Sequence, residues 1–166
     1  MSGYPSEVDI RPITAADDRA IEEIIRTVMP EYGADGPGFA IHDAEVSAMS
    51  SAYARPRAEY RVAVLHGRIV GGGGFAPLEG GDGSVCEIRK MYFAREARGL
   101  GIGGALLREL LLRAAGCGYA GAYLETLAAM KEARALYERC GFTPLRAAMG
   151  ATGHFGCNSF YYLPLG

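Results

Sequence analysis

The sequence predicts an α/β fold in which a mixed sheet of about seven strands is flanked by about four helices. Three observations favour it. Two helical patterns follow one N-terminal strand, a two-residue turn at His66-Gly67 joins two strand-like runs, and residues 85–124 have the order strand, glycine-rich loop, helix, strand. We expect an antiparallel N-terminal part followed by a parallel pair, and a single domain over residues 1–166.

The first third of the chain predicts one strand and two helices. Val8 to Ile13 alternates apolar and polar residues like a half-buried strand, and Thr14 with Asp17 resembles a helix cap. A second helix, capped by its first residue, fits Asp43 to Tyr53. The first helix buries one face, formed by Ile21, Ile24, Ile25 and Val28.

The middle of the chain predicts a β-hairpin. Its arms are Tyr60 to Leu65 and Arg68 to Val70, on either side of the two-residue turn. The second arm continues into four consecutive glycines, Gly71 to Gly74. Because these glycines extend a strand and do not open a helix, they favour a bulge or a close approach of another backbone over a phosphate site.

The second half alternates strands and helices and ends in a pair of strands around a glycine-rich excursion, Gly150 to Gly156. Apolar runs and helical spacing of leucines define its elements. These are strands at Val85 to Phe93 and Tyr119 to Leu124, helices at Ala105 to Ala115 and Ala128 to Cys140, and closing strands at Phe142 to Leu145 and Ser159 to Leu163.

Composition excludes several classes of partner. The net charge is −2 and the basic residues are scattered, so the electrostatic footprint of a nucleic-acid-binding protein is missing. No apolar run approaches the roughly 20 residues of a membrane span, and Met1 to Pro12 has no basic region followed by an apolar core. The four cysteines and three histidines lack metal-binding spacing, so no metal is expected. These features indicate a cytoplasmic protein that binds neither nucleic acid nor membrane.

The segment from Arg98 to Gly104 opens the leucine-rich helix and contains four glycines. Such a segment can point bare backbone N–H groups and the positive end of the helix dipole at one anion, most simply a diphosphate. The pattern Gly99-x-Gly101-x-x-Gly104, with Glu125 as a ribose-binding acid, also matches a dinucleotide-binding fingerprint. Five residues separate the strand from the first glycine, which disfavours that nicotinamide or flavin site.

Two blocks of sequence resemble the GNAT superfamily of acetyl-CoA-dependent N-acetyltransferases. The first joins Glu87 to Phe93 with the motif Arg98-x-x-Gly101-x-Gly103, and the second is Ala133 to Phe142. They occur in the family's order and on the expected elements. The resemblance implies the GNAT fold, in which the parallel strands splay apart to admit the acetyl thioester of coenzyme A.

The resemblance also implies how acetyl-CoA is held. The backbone N–H groups of the glycine segment bind the diphosphate, and the main chain of Met91 and Phe93 pairs with the pantetheine arm. Met130 stands where many relatives carry an asparagine that contacts the cofactor. Thr126 either supplies a substitute hydroxyl for that contact or has a helix-capping or turn role. The implied cofactor-binding residues are Met91, Tyr92, Phe93, Arg98, Gly99, Leu100, Gly101, Ile102, Gly103, Gly104, Thr126, Met130 and Ala133.

Acetyl transfer to an amine needs a base for the amine and a proton for the departing thiolate. Tyr137 matches the family tyrosine that protonates the sulfur, and Glu87 matches the glutamate that acts as base in the histone-acetylating branch. The residues alone leave alternatives open. Tyr137 also fits a core tyrosine, and Glu87 fits a carboxylate paired with Arg89 or Lys90, of which Arg89 shares its face of the strand.

The resemblance places the acceptor between the segments Tyr32 to Asp43 and Gly150 to Asn158. The implied substrate-binding residues are Tyr32, Asp43, Glu87 and His154, and His154 is an alternative base because its reference pKa lies near 6.5. The implied reaction is direct transfer of acetyl to a primary amine of a small metabolite, amino acid or peptide in a ternary complex. An acetyl-CoA sensor without transfer activity is the alternative. The oligomeric state stays open, a homodimer included.

Overall fold

A seven-stranded sheet forms the centre of the structure, a computed structural model that describes residues 7–166. The strands are β1 (Val8–Pro12), β2 (Glu59–Leu65), β3 (Arg68–Pro77), β4 (Val85–Phe93), β5 (Gly121–Thr126), β6 (Thr143–Leu145) and β7 (Ser159–Pro164). Their order is β1-β2-β3-β4-β5-β7-β6, and every neighbouring pair is antiparallel except β4 and β5. The predicted mixed sheet is confirmed. The sequence analysis expects no leader in Met1 to Pro12, and residues 1–6 of that segment lie outside the described residues.

Helices cover both faces of the sheet. They are α1 (Asp18–Glu31), α2 (Met49–Ala52), α3 (Ile102–Gly116) and α4 (Lys131–Arg139). On one face α3 buries Leu106, Leu107 and Leu110 against Phe75 and neighbouring strand residues. On the other face α1 and α2 pack against β2 and β3. Across residues 7–166, none of the helices combines the length and the apolar content that crossing a bilayer requires.

The capping box that the sequence predicts at Thr14 and Asp17 forms around the 3₁₀ turn Ala15–Asp17, which leads directly into α1. The Asp17 carboxylate accepts a hydrogen bond from the backbone N–H of Thr14 at 2.8 Å and from the Arg11 guanidinium at 2.7 Å. These contacts satisfy an N–H group that the helix itself cannot pair. They also fix the chain where it leaves β1.

The predicted second helix at Asp43 to Tyr53 is wrong. The segment forms a 3₁₀ turn at Ala44–Ser47, and only the four residues of α2 are α-helical. Ala48 breaks the pattern with φ −149° and ψ 51°. Serine hydroxyls bond local carbonyls here, which competes with regular helix, and the Asp43 carboxylate is turned toward the sheet and caps nothing.

The tetraglycine segment lies inside β3, as predicted, and leaves room for neighbouring groups. The pairing of β3 with β4 shifts register between Gly72 and Gly74, and Lys90 on the opposite strand has φ +50°. The ring of Tyr60 packs directly over Gly72 and Gly74, where a Cβ would meet it at 2.7 Å. The glycines therefore serve the sheet and its bulge.

A methyl group at Gly74 should destabilise the protein. The Cβ of Gly74→Ala would lie 2.5 Å from the Glu59 carbonyl oxygen, and this backbone cannot retreat without breaking the β2–β3 pairing. We expect a loss of about 1–3 kcal/mol in the free energy of unfolding, measured by urea denaturation. Gly116→Ala is the control, because its Cβ meets nothing within 4 Å. Equal stability of both variants would contradict the account.

The first residues of β5, α3 and α4 differ from those predicted by two or three positions. β5 begins at Gly121 because Tyr119 leaves the strand to pack its ring on Phe75 and to donate its hydroxyl to the Arg57 carbonyl. α3 begins at Ile102, so two glycines lie in its first turn. α4 begins at Lys131 because Met130 is its cap and the N–H of residue 128 donates to the Asn158 side chain.

The parallel pair separates along its length. Pairing of β4 with β5 ends at Glu87 and Tyr123. Beyond that point β4 stays beside β3 and β5 stays beside β7. The two strands therefore enclose an opening between Ile88 to Phe93 and Leu124 to Thr126, which we call the wedge. The predicted splay is confirmed.

Candidate active site

The glycine segment forms one wall of a groove that leads to the wedge. Gly99 and Gly101 adopt φ of +77° and +78°, a conformation that glycine alone adopts readily, and Gly101 precedes the first residue of α3. We call this opening the glycine groove. It is lined by Met91, Tyr92, Phe93, Arg98, Gly99, Gly101, Ile102, Gly103, Gly104, Met130 and Ala133, with Leu136 and Tyr137.

The glycine groove fits a diphosphate. The first turn of α3 leaves the N–H groups of Ile102, Gly103 and Gly104 without intrahelical acceptors, and these groups form the positive end of the helix dipole. A Cβ built on Gly99 would enter open space, so the main chain there is open to a ligand. The groove thus offers bare donors and close backbone approach at the same place.

Arg98 and Leu100 contribute less than the other predicted cofactor-binding residues. The Arg98 backbone N–H already donates to the Arg95 carbonyl, and its guanidinium donates to the Phe93 carbonyl and to Glu31. Leu100 is 38% exposed and lies outside the groove lining. The donors open to a ligand therefore begin at Gly99.

Tyr137 lies where the glycine groove meets the wedge and lines both. Its ring packs against Phe142 and Tyr161, and burial raises the pKa of its hydroxyl further above the usual value. The phenol therefore keeps its proton at neutral pH. Thr126, in the wedge, donates its hydroxyl to the Met130 sulfur at 3.5 Å, so these two residues contact each other.

Glu87 lies at the closed end of the wedge on the opposite face of the sheet from α3. The residue is 3% exposed, and its burial raises the pKa of its carboxyl to about 7. The charge of Arg89 lowers this pKa, and the charge of Glu125 raises it. The Arg89 Nε lies 3.1 Å from the Glu87 Oε1, although these two atoms do not form a well-aligned hydrogen bond. Arg89 is therefore the charge partner of Glu87, as the strand alternation predicts.

Lys90 shares this face because of the bulge. Regular alternation would point it away from Glu87, but its positive φ turns the side chain toward the first helices. Its ammonium is bound by the carboxylates of Asp43, at 2.7 Å, and Glu45. The interaction joins β4 to the segment that replaced the predicted second helix.

His154 and Asp43 meet across the opening to the wedge. The His154 Nε2 lies 2.8 Å from an Asp43 carboxylate oxygen, and this hydrogen bond raises the pKa of the imidazole. Burial opposes ionisation of Asp43, but hydrogen bonds from His154 and Lys90 outweigh it and lower the pKa of Asp43 to about 2. His154 lines the wedge, whereas Asp43 lies behind it and orients the ring.

The structure adds residues that the sequence analysis did not assign to this site, above all Glu125. Its carboxylate accepts hydrogen bonds from Tyr123, at 2.7 Å, and from Thr152, and its Oε1 lies 3.8 Å from the His154 Nδ1. Glu125 follows Tyr123 by two positions, and Tyr123 is paired with Glu87. Glu87, Tyr123 and Glu125 therefore lie on one face of the sheet. The two-residue spacing of Tyr123 and Glu125 is visible in the sequence, but it predicts a neighbour of Glu87 only once the β4–β5 register is known.

The dinucleotide fingerprint does not form a dinucleotide site. Glu125 faces the wedge on the side of His154 and does not line the glycine groove. A 3₁₀ turn at Arg95–Ala97 separates the end of β4 from Gly99. The ribose-binding acid and tight strand-to-helix turn of that fingerprint are therefore not formed by these residues.

Comparison with known proteins agrees with this geometry. The family model described as acetyltransferase (GNAT) family matches residues 20–142. The Escherichia coli K12 protein YjgM, described as an uncharacterized N-acetyltransferase, is 39% identical over 154 residues, which are 92% of each chain.

Two solved structures with acetyl-CoA share the fold. A GNAT superfamily phosphinothricin acetyltransferase from Sinorhizobium meliloti superposes with a TM-score of 0.78 at 28% identity, covering 96% of this chain and 89% of that one. YncA, a putative acetyltransferase from Salmonella typhimurium, gives 0.79 at 24% identity, covering 97% and 95%. A family match over most of the chain, a close N-acetyltransferase relative and a shared fold lead to one conclusion: the chain belongs to the GNAT family and is an N-acetyltransferase.

Proposed function

We propose that the protein transfers acetyl from acetyl-CoA directly to a primary amine of a small metabolite, amino acid or peptide in a ternary complex. The observation that carries this proposal is the meeting of the glycine groove and the wedge at Tyr137. The glycine groove reaches Tyr137 from one side, and the wedge presents Glu87, Glu125 and His154 from the other. Donor and acceptor can thus approach each other without a covalent enzyme intermediate.

The donor side holds the coenzyme through backbone groups. Acetyl-CoA, when bound, supplies an acetyl group activated as a thioester. The N–H groups from Gly99 to Gly104 hold its diphosphate, and the unpaired edge of β4 from Met91 to Phe93 holds the pantetheine arm. Tyr137 then gives its proton to the sulfur as the carbon–sulfur bond breaks, which its protonated state at neutral pH permits.

The acceptor side prepares the amine. An amine attacks only after losing a proton, and Glu87 accepts that proton because its pKa of about 7 keeps a useful fraction ionised at neutral pH. The nitrogen–carbon bond forms as the carbon–sulfur bond breaks. His154 stands close enough to pass the proton on toward Asp43 and solvent.

Ligand-induced stabilisation tests the donor assignment. Acetyl-CoA and coenzyme A, each at about a hundred times its dissociation constant, should add about 2.7 kcal/mol to the free energy of unfolding, seen as a rise in Tm. NAD(H) should add nothing. Stabilisation by NAD(H) alone would contradict the proposal. Stabilisation by acetyl-CoA without thiol release across amines, amino acids and peptides would replace the transferase with a sensor.

A further inference from the structure

Three groups that can accept hydrogen bonds lie close together in the wedge. One ligand atom from each of Glu87, Glu125 and His154 lies within 4.8 Å of the other two. The Glu125 side chain is only 4% exposed, and no lysine or arginine among residues 7–166 forms an ion pair with it; its carboxylate accepts hydrogen bonds from the hydroxyls of Tyr123 and Thr152. A buried carboxylate whose charge no permanent cation balances favours a cationic group from elsewhere.

The cations near this cluster are already neutralised. Lys90 lies between the carboxylates of Asp43 and Glu45, and Arg89 lies between those of Glu87 and Glu45. The His154 Nε2 is hydrogen-bonded to the Asp43 carboxylate. Four carboxylates thus face two permanent cations and one histidine, so negative charge is in excess whenever Glu87 is ionised. A ligand carboxylate would find no free cation here.

The spacing of Glu87, Glu125 and His154 leaves room for a small cation between them. A tetrahedral ammonium that donates three hydrogen bonds of about 2.8 Å separates its acceptors by about 4.6 Å. A metal ion with ligands at about 2.1 Å separates them by about 3.4 Å. The His154 Nδ1 and the Glu125 Oε1 are 3.8 Å apart, and the widest separation reaches no more than 4.8 Å. The 3.8 Å separation lies between the two values, so the spacing admits either occupant. An ammonium is the occupant that the chemistry favours, because the acceptor of an N-acetyltransferase is an amine.

We propose that Glu125 and Glu87 bind the acceptor as an ammonium ion, and that the acceptor carries no carboxylate next to its amino group. The chemical class is therefore alkyl amines, amino-acid amides and peptide N-termini, and free α-amino acids are excluded. Thr152 and the Tyr123 hydroxyl hold the Glu125 carboxylate in place. This inference rests on the proposed transferase function and narrows its acceptor.

Matched substrate pairs test the acceptor class in the unmodified protein. With acetyl-CoA at saturation, kcat/KM is compared for tyramine and tyrosine, and for phenylalanine amide and phenylalanine. The member without the free carboxylate should be acetylated at least about tenfold more efficiently in each pair. Equal or faster acetylation of the free amino acids would overturn the inference while leaving the transferase intact.

A charge-neutral variant tests the role of Glu125. Glu125→Gln keeps the shape of the side chain and should raise KM for the preferred amine by about 10- to 100-fold, because a charge-assisted hydrogen bond is lost. The Kd of acetyl-CoA should stay unchanged. Glu79→Gln, which changes an exposed side chain, is the matched control and should alter neither constant.

The outcomes separate this inference from the proposed function. An unchanged KM in the Glu125→Gln variant overturns the ammonium site. Acetyl-CoA binding without binding or acetylation of any amine in the panel also overturns it, and the donor site then still stands. Failure of acetyl-CoA to bind overturns the proposed function itself. Stabilisation by Zn²⁺ but by none of the amines would assign the cluster to a metal and overturn the inference.

Discussion

Glu87→Gln is expected to lower kcat by about 10²- to 10⁴-fold, the usual contribution of a positioned general base. The amide keeps the volume of the carboxylate in its buried position beside Arg89 but cannot accept a proton. Glu87 does not line the glycine groove, the proposed binding site of acetyl-CoA, so the Kd of the donor should not change. Steady-state kinetics and a binding titration measure the two effects separately.

The pH dependence of kcat/KM should also report on Glu87. Burial raises the pKa of Glu87 to about 7, so the carboxyl gains its proton and loses its function as a base below that pH. Activity of the unmodified protein should therefore fall as the pH drops through about 7, and the residual activity of the variant should lack that fall. Unchanged turnover and an unchanged pH profile in the variant would show that Glu87 is not the base and would assign that role to His154 or to water.

Tyr137→Phe is the second change with a large expected effect. Removing the hydroxyl leaves the ring in its packing against Phe142 and Tyr161 but removes the proton for the departing thiolate. We expect kcat to fall by about 10²- to 10⁴-fold with little change in the Kd of acetyl-CoA. Thiol release under saturating acetyl-CoA measures kcat, and thermal stabilisation checks binding.

Tyr119→Phe is the matched control for this variant. Its hydroxyl donates a 2.6 Å hydrogen bond to the Arg57 carbonyl, away from the wedge, and its loss should cost about 0.5–1.5 kcal/mol of stability without affecting turnover. Wild-type turnover in the Tyr137→Phe variant would show that Tyr137 is a core residue and not the acid that protonates the thiolate. Equal loss of turnover in both variants would point to stability as the common cause.

Most of the fold was predictable because its signals are local. Two-residue turns, alternating strands and glycines that end helices all act within a few residues of the chain, and they identified the hairpin, the parallel pair and the glycine segment. The predicted helix at Asp43 to Tyr53 was wrong because tertiary contacts overrode local propensity. The Asp43 carboxylate binds Lys90 and His154, residues far away in the sequence.

The site was predictable only in part, for a related reason. Glu87 and Tyr137 lie in recognisable sequence blocks, and the structure brings them to the same opening. Glu125 acquires its neighbours only through the β4–β5 register, and Lys90 joins the site only because a bulge reverses its direction. Register and bulges depend on pairing between distant segments, which no local pattern specifies.

The most direct test of the account is product analysis with acetyl-CoA labelled with ¹³C in the acetyl group. Incubated with the protein and a primary amine such as tyramine, it should yield a labelled amide and free thiol in equal amounts. The product should fall with Glu87→Gln and Tyr137→Phe. Free thiol without labelled amide, or no thiol release from any amine, amino acid or peptide while acetyl-CoA binds, would contradict direct acetyl transfer.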